Sequence, residues 1–384
     1  MSRLATTSHV LSGSITDKKI VCYYGSWAAY RNGLGKFDVS DINPALCTHI
    51  IYAFIGINTT GDVEILDSWR DLPNGRDGYG QFTRLRRQNP GIKVMVAMGG
   101  WNEGSTKYSE VVAKPNMRVR FVHNVINFLK EYDFDGFDFD WEYPNQRGGK
   151  PADRENFVAV LRELREEFDK HGYILSAAVS AAQSSASLSY IISQVTQHVH
   201  FINLMTYDFN GSWKNVAAIN APLYPSASES AEQAQLNVNS AVRYWLSQGA
   251  PRHKLIVGIP AYGRSFTLAN SANNKIGAPT IGAGKAGPYT QEGGLLGYNE
   301  ICEYLAQRWT VVREREQHVP YAFNGNQWVG YDDVISVQEK ANYVMSMNLG
   351  GMMLWTIDTD DFRGTCGEKY PLLRTINRVL RGNV

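Results

Sequence analysis

What this chain of 384 residues lacks narrows the field before any motif is read. Its net charge is +1, from 38 basic and 37 acidic residues. There is therefore no basic excess to hold nucleic acid, and no run of like charge to lie on a membrane surface. Apolar runs are short, and none reaches the roughly eighteen residues that a membrane-spanning helix needs. Cysteines are few: Cys22, Cys47, Cys302 and Cys366 are the 4 in the chain, too widely spaced for a zinc ribbon or a redox pair. Either they are buried free thiols or they form two disulfides. Chain order and the short intervening loop favour Cys22–Cys47, which leaves Cys302–Cys366. Disulfides place the chain in an oxidising compartment, and the sequons Asn58-Thr59-Thr60 and Asn210-Gly211-Ser212 fit a secreted, extracellular protein. The start, Met1 to Lys19, is rich in Ser and Thr and lacks the apolar run of a secretion signal. Residues 1–18 are expected to be a flexible segment. No metal and no cofactor is expected, and the chain reads as a monomer.

What is present is enough apolar sequence, 43%, for one large core, distributed as short runs of strand length. Residues Lys19–Trp27 and His49–Ile57 are β-branched and aromatic, and Lys93–Gly100 is a near-continuous apolar run of the kind buried on both faces. Tyr173–Ser180, Phe201–Asp208, Leu255–Tyr262 and Gly350–Asp358 supply four more. Between them lie helical patterns: a stretch around Phe82–Gln88, Val111–Tyr132 with Phe121, Val125, Phe128 and Leu129 in register, Glu155–Lys170 with Phe157, Val160, Leu161 and Leu164, and a last helix over Pro371–Arg381. With the acidic segment described next, these runs predict an α/β fold, a (β/α)8 TIM barrel. One interval breaks the rhythm. From Tyr262 to about Tyr331 the sequence turns to Gly, Pro, Thr and aromatics and is too long for an ordinary loop. It predicts a small insertion domain over 263–331, after the seventh strand, within a barrel spanning 19–384.

The remaining strand is the most informative stretch. Asp133-Phe134-Asp135-Gly136-Phe137-Asp138-Phe139-Asp140-Trp141-Glu142-Tyr143-Pro144 alternates polar and aromatic residues and ends at a proline. In a strand, Asp138, Asp140 and Glu142 line one face while Phe137, Phe139 and Trp141 line the other. Neighbouring acids then stand ~6–7 Å apart, from a rise of about 3.3 Å per residue, so at least one should hold a proton near neutral pH. A protonated carboxyl beside a charged one is the equipment for general acid chemistry on a glycosidic oxygen. An exposed amphipathic strand would show the same alternation, but three large aromatics on the opposite face argue for acids inside a barrel.

This segment resembles the Asp-Gly-x-Asp-x-Asp-Trp-Glu signature of family 18 glycoside hydrolases, the chitinases and their relatives, with Asp135, Gly136, Asp138, Asp140, Trp141 and Glu142 in the fixed positions. The resemblance extends from Lys19 to about Arg381 and implies the same disulfide pairing and an α+β insertion that walls the cleft. It implies retaining hydrolysis of β-1,4-linked N-acetylglucosamine in chitin and chitooligosaccharides, with the substrate's own acetamide as nucleophile. Glu142 would be the general acid. Asp140 would accept the acetamide N–H and Tyr207 would donate to its carbonyl. Asp138 would share a proton with Asp140 and help raise the pKa of Glu142. Met205, Tyr207 and Asp208 match the family's Met-x-Tyr-Asp element, Tyr262 and Arg264 its Tyr-x-Arg, and Trp355 the tryptophan under the reacting sugar. Trp27, Tyr30, Trp101 and Trp213 match cleft aromatics, with Phe54 a candidate for site or core. Gly99 and Gly100 belong to an element that often reads Ser-x-Gly-Gly; here Ala97 replaces the serine. A lectin that binds these sugars without cleavage is the alternative, and such lectins carry a neutral residue where this chain has Glu142. No linker or cysteine cluster follows Arg381, so no separate carbohydrate-binding module is expected there.

Overall fold

The computed structural model describes residues 18–382. The segment expected to be flexible lies outside them except for Lys18, whose ammonium bonds Asn348 Oδ1 at 2.8 Å and the Leu349 carbonyl at 2.7 Å.

Eight parallel strands close on themselves: β1 (Lys19–Gly25), β2 (His49–Ile57), β3 (Lys93–Gly99), β4 (Gly136–Asp140), β5 (Ile174–Ser180), β6 (Phe201–Met205), β7 (Leu255–Pro260) and β8 (Gly351–Trp355). Each pairs with its neighbour in order, and β8 returns to β1 through Lys19↔Gly351 to Cys22↔Leu354. A two-residue strand, Val63–Glu64, folds back antiparallel on the end of β2. The helices Pro115–Tyr132, Asp153–Asp169, Val238–Ser247, Val334–Ser346 and Pro371–Arg381 lie among the crossovers. The first crossover is made only of 3₁₀ turns such as Ser26–Tyr30, because Gly33, Gly35 and Pro44 interrupt any longer helical run.

The acidic alternation extends further in sequence than the strand does in space. Asp133 takes a left-handed conformation at φ 60° to close the preceding helix. Asp135 is drawn away from the barrel axis, accepting from the Val94 amide at 2.7 Å and from Arg86 Nε at 3.1 Å. Only Gly136–Asp140 is β-structure, and Glu142 stands just past its end. The opposite face behaves as the alternation predicts. Phe137, Phe139 and Trp141 are buried against the helical layer, Phe137 edge-on to Phe121 and both Phe139 and Trp141 edge-on to Phe157.

The chain leaves the barrel slightly earlier than the apolar run over Leu255–Tyr262 predicts. Tyr262 already pairs with Gly297 in a second sheet, since the strand Tyr262–Leu268 starts two residues after β7 ends. This sheet has six antiparallel strands, with Gln327–Gly330, Val319–Asn324 and Thr310–Glu314 on one side of Tyr262–Leu268 and Thr280–Ala283 and Leu295–Gly297 on the other. The helix Tyr298–Ala306 packs on it. Two disulfides brace the molecule: Cys22–Cys47 joins β1 to the segment before β2, and Cys302–Cys366 joins the insertion to the loop after β8.

Candidate active site

The two acids of β4 and Glu142 climb from the barrel interior towards its C-terminal mouth. Asp138 is 0% exposed, Asp140 2% and Glu142 9%. Asp138 is held from three strands. Its Oδ2 accepts the Tyr23 phenol at 2.5 Å, and its Oδ1 accepts the Ser176 hydroxyl at 2.6 Å and Asn203 Nδ2 at 3.2 Å. Burial raises its pKa, and those three donors pull it back. No hydrogen bond joins Asp138 to Asp140 in this arrangement.

Asp140 has no such support. Its Oδ1 is buried without a hydrogen-bond partner among the described residues. Burial first, then the charges of Glu142 and Asp138, push its pKa well above the carboxylate range. Burial also lifts Glu142 to about 7; Asp208 adds to the rise, while the Tyr143 phenol and the Arg147 guanidinium oppose it.

Aromatic rings surround this column. Trp27 stacks on Phe54 at 5.9 Å and Phe54 on Trp355 at 5.7 Å, with Tyr23 beneath Trp355 at 5.2 Å. Phe54 is therefore part of the mouth and packs against the inner cluster, as do Met205, Leu295 and Trp355. Gly99 and Gly100 allow the close approach between β3 and β4. At Gly99, with φ 121°, a Cβ would fall 1.9 Å from the Asp140 carbonyl oxygen; at Gly100, with φ 86°, it would fall 2.6 Å from the Phe54 ring. The Gly100 amide bonds the Asp140 carbonyl at 2.9 Å. The Ala53–Phe54, Glu142–Tyr143 and Trp355–Thr356 peptide bonds are cis. Tyr207 is buried in the same inner cluster, and its hydroxyl reaches only the Met353 thioether, at 3.7 Å. Asp140 is the strongest charge acting on it, followed by Asp208 and Glu142.

On the far side Asp208 accepts from the Tyr262 phenol and from Arg264 Nε, both at 2.7 Å, and its amide donates to Asn220 Oδ1 at 2.8 Å. The Arg264 guanidinium sits 5.2 Å from the Trp213 ring. Trp101 is covered by Arg147, whose guanidinium carbon is 3.4 Å from the ring centroid and whose Nη1 donates to the Trp101 and Glu142 carbonyls at 2.7 and 3.0 Å. Tyr30 is tied to Asp67 at 2.7 Å. Trp27, Tyr30, Trp101 and Trp213 are all exposed. Trp69 is more exposed still, at 61%, on a short helix anchored by buried Arg70 and Asp71. A lone tryptophan in a polar stretch carries no signal of this, and neither Arg147 nor the Arg31–Asp358 ion pair, 2.7 Å long and bracing the first and last loops, is marked by any motif. Among the described residues the one cluster dense enough for a metal is Cys302, Asp361 and Cys366. Its sulfurs are in the disulfide, so they offer no thiolates.

A parallel barrel with buried carboxyls rising to a ring-lined mouth is the build of a barrel hydrolase. The chain belongs to the glycosyl hydrolases family 18, whose model matches residues 19–360. It is 42% identical over 404 residues to a protein named Probable chitinase 2 from Drosophila melanogaster, covering 96% of this chain and 81% of that one. Its structure matches the Group IV chitinase of Ostrinia furnacalis in complex with allosamidin with a TM-score of 0.93 and 50% identity, over 96% of this chain and 100% of the other. It also matches catalytic domain 2 of the Group II chitinase of the same moth, solved as a mutant in complex with (NAG)5, with a TM-score of 0.91 and 40% identity over 96% and 97% of the two chains.

Proposed function

We propose that this family 18 enzyme is a secreted, monomeric endo-chitinase that cleaves β-1,4 N-acetylglucosamine linkages with retention, using the substrate's acetamide as nucleophile. One observation carries the reading. At the bottom of the ring-lined mouth, Asp140 Oδ1 is a buried acceptor with no donor and the Tyr207 hydroxyl is a buried donor with only a thioether. Buried polar groups are costly unless paired, and this acceptor and donor are complementary to the N–H and C=O of an acetamide. Held that way, the carbonyl oxygen would face the anomeric carbon while Glu142, protonated up to a pH of about 7, protonates the leaving oxygen. Asp140 would stabilise the positive charge that develops on the acetamide nitrogen. Trp355, Phe54 and Trp27 would bear sugar faces, whose C–H groups pack on aromatic rings, and Trp101, Trp213 and Tyr30 would extend the track. On this reading 19–384 is one catalytic unit, and the 263–331 insertion supplies a wall through Leu295. The chitin-oligomer and allosamidin complexes of the Ostrinia enzymes support the substrate class.

The test is hydrolysis of a chitin oligosaccharide by the wild type and by Glu142→Gln, with binding measured on both. The wild type should cut, and the variant should bind and not cut. A wild type that binds and never cuts would make this chain a lectin.

A further inference from the structure

The chain carries two sequons, and their surroundings differ in a way that decides between them. Asn58 follows β2 at the tip of the turn into Val63–Glu64, with Thr59 and Thr60 exposed. Its Oδ1 organises that turn by accepting the Thr60 amide at 3.0 Å, the Thr60 hydroxyl at 2.8 Å and the Asp62 amide at 2.9 Å. Its Nδ2 makes one long bond, 3.3 Å to Asp62 Oδ2. Substitution on Nδ2 leaves the carbonyl oxygen in place, so the three bonds to Oδ1 that organise the turn do not depend on the atom that is substituted. Asp62 in turn is bound by Arg120 at 2.8 Å and Asn124 at 3.0 Å, both on the helix Pro115–Tyr132. The turn is therefore braced by that helix, in the outer layer of the barrel.

Asn210 is the opposite case. It is 7% exposed, its Nδ2 donates to the Ile219 carbonyl at 2.8 Å, and its Oδ1 accepts the Lys214 ammonium at 2.5 Å. These bonds close the loop that starts at Asp208 and carries Trp213. A bulky group on Nδ2 has no space there and would open the loop that forms one side of the site.

We propose that Asn58 is an N-glycan acceptor and that Asn210 is left unmodified in the folded protein. The donor is an oligosaccharide headed by N-acetylglucosamine and activated as a lipid-linked diphosphate. Nδ2 bonds to C1 of the sugar, the C1–O bond to the diphosphate breaks with its electron pair leaving on the phosphate oxygen, and one Nδ2 proton passes to a base of the transferase. The inference rests on the oxidising, secretory setting that the two disulfides indicate, and not on which sugar the enzyme cleaves.

The experiment is secretion of the full chain from insect cells, followed by peptide mapping after amidase release of glycans in heavy-oxygen water. Asn58 should carry the label and Asn210 should not. Asn58→Gln and Thr60→Ala should each remove the single glycan from the intact mass, and Asn210→Gln should leave it. Enzymatic removal of the glycan from the folded protein should leave oligosaccharide hydrolysis unchanged. An unoccupied Asn58, or an occupied Asn210 in secreted active protein, overturns the assignment. Both are read on the wild type, independently of whether any variant folds.

Discussion

At the scale of the residue, the environment of each carboxyl sets its task. To act as the acid proposed above, Glu142 must hold a proton, and burial lifts its pKa to about 7, against an ordinary 4.5. Turnover is therefore expected to fall as pH rises through about 7, read as kcat/KM against pH on a soluble oligosaccharide. Arg147 favours the charged form of Glu142, so Arg147→Ala should move that limb to higher pH and, by freeing the Trp101 ring, weaken substrate binding as well. A limb that stays in place in the variant would remove Arg147 from the electrostatics of the site. Stability follows the same groups. Glu142 and the fully buried Asp360, which is also lifted to about 7, bind protons in the folded state that the unfolded chain has already released. Their contribution is present below about 4 and is lost as pH rises through 7, so chemical denaturation midpoints should decline across that window.

At the scale of the element, much was legible in the sequence and some was not. The strands announce themselves because a strand buried on both faces must be apolar throughout, and β4 does so because its two faces differ. What no pattern encodes is contact between strands far apart in the chain. The donors that hold Asp138 are Tyr23, Ser176 and Asn203, from β1, β5 and β6, polar side chains set in largely apolar runs. Glu300 is a further case. It is fully buried, and its carboxylate gathers the Tyr289 and Thr290 amides at 2.6 and 2.8 Å, the Thr290 hydroxyl at 2.7 Å and the Gly297 amide at 2.7 Å. That one side chain shapes the segment leading to Leu295. Glu300→Ala should release it, raising KM for long oligosaccharides more than it lowers kcat on a short one. Equal effects on both would assign Glu300 to stability alone. Just past β3, Gly100→Ala must displace the Phe54 ring and adopt a strained φ; it should lower both stability and sugar affinity, measured by thermal melting and by titration.

At the scale of the molecule, the barrel and the insertion are joined at many points, one of them through a fully buried ion pair. Lys340, 0% exposed, bonds Asp332 Oδ1 and the Ala221 carbonyl, both at 2.6 Å. It thereby links the end of the insertion, a barrel helix and the loop after β6. Lys340→Met would leave Asp332 buried without its cation and should cost ~3–5 kcal/mol, whereas the double change with Asp332→Leu should recover most of that loss. Urea denaturation of the three proteins checks both statements. The Cys302–Cys366 bridge closes a span of 64 residues, and its removal should cost ~2–5 kcal/mol, with the loop after β8 as the first region to gain hydrogen exchange.

The ring stack at the mouth has a consequence for light as well as for sugar. The Trp27 and Trp355 centroids are 6.2 Å apart with Phe54 beside both, close enough for the excited states of the two indoles to mix. Trp141, Trp245 and Trp328 are fully buried and supply a constant background. An oligosaccharide laid across the mouth should therefore change the near-ultraviolet circular dichroism of the Glu142→Gln protein, and adding Trp27→Phe should diminish the change. Occupancy of the cleft is then readable from the protein's own chromophores, without a label.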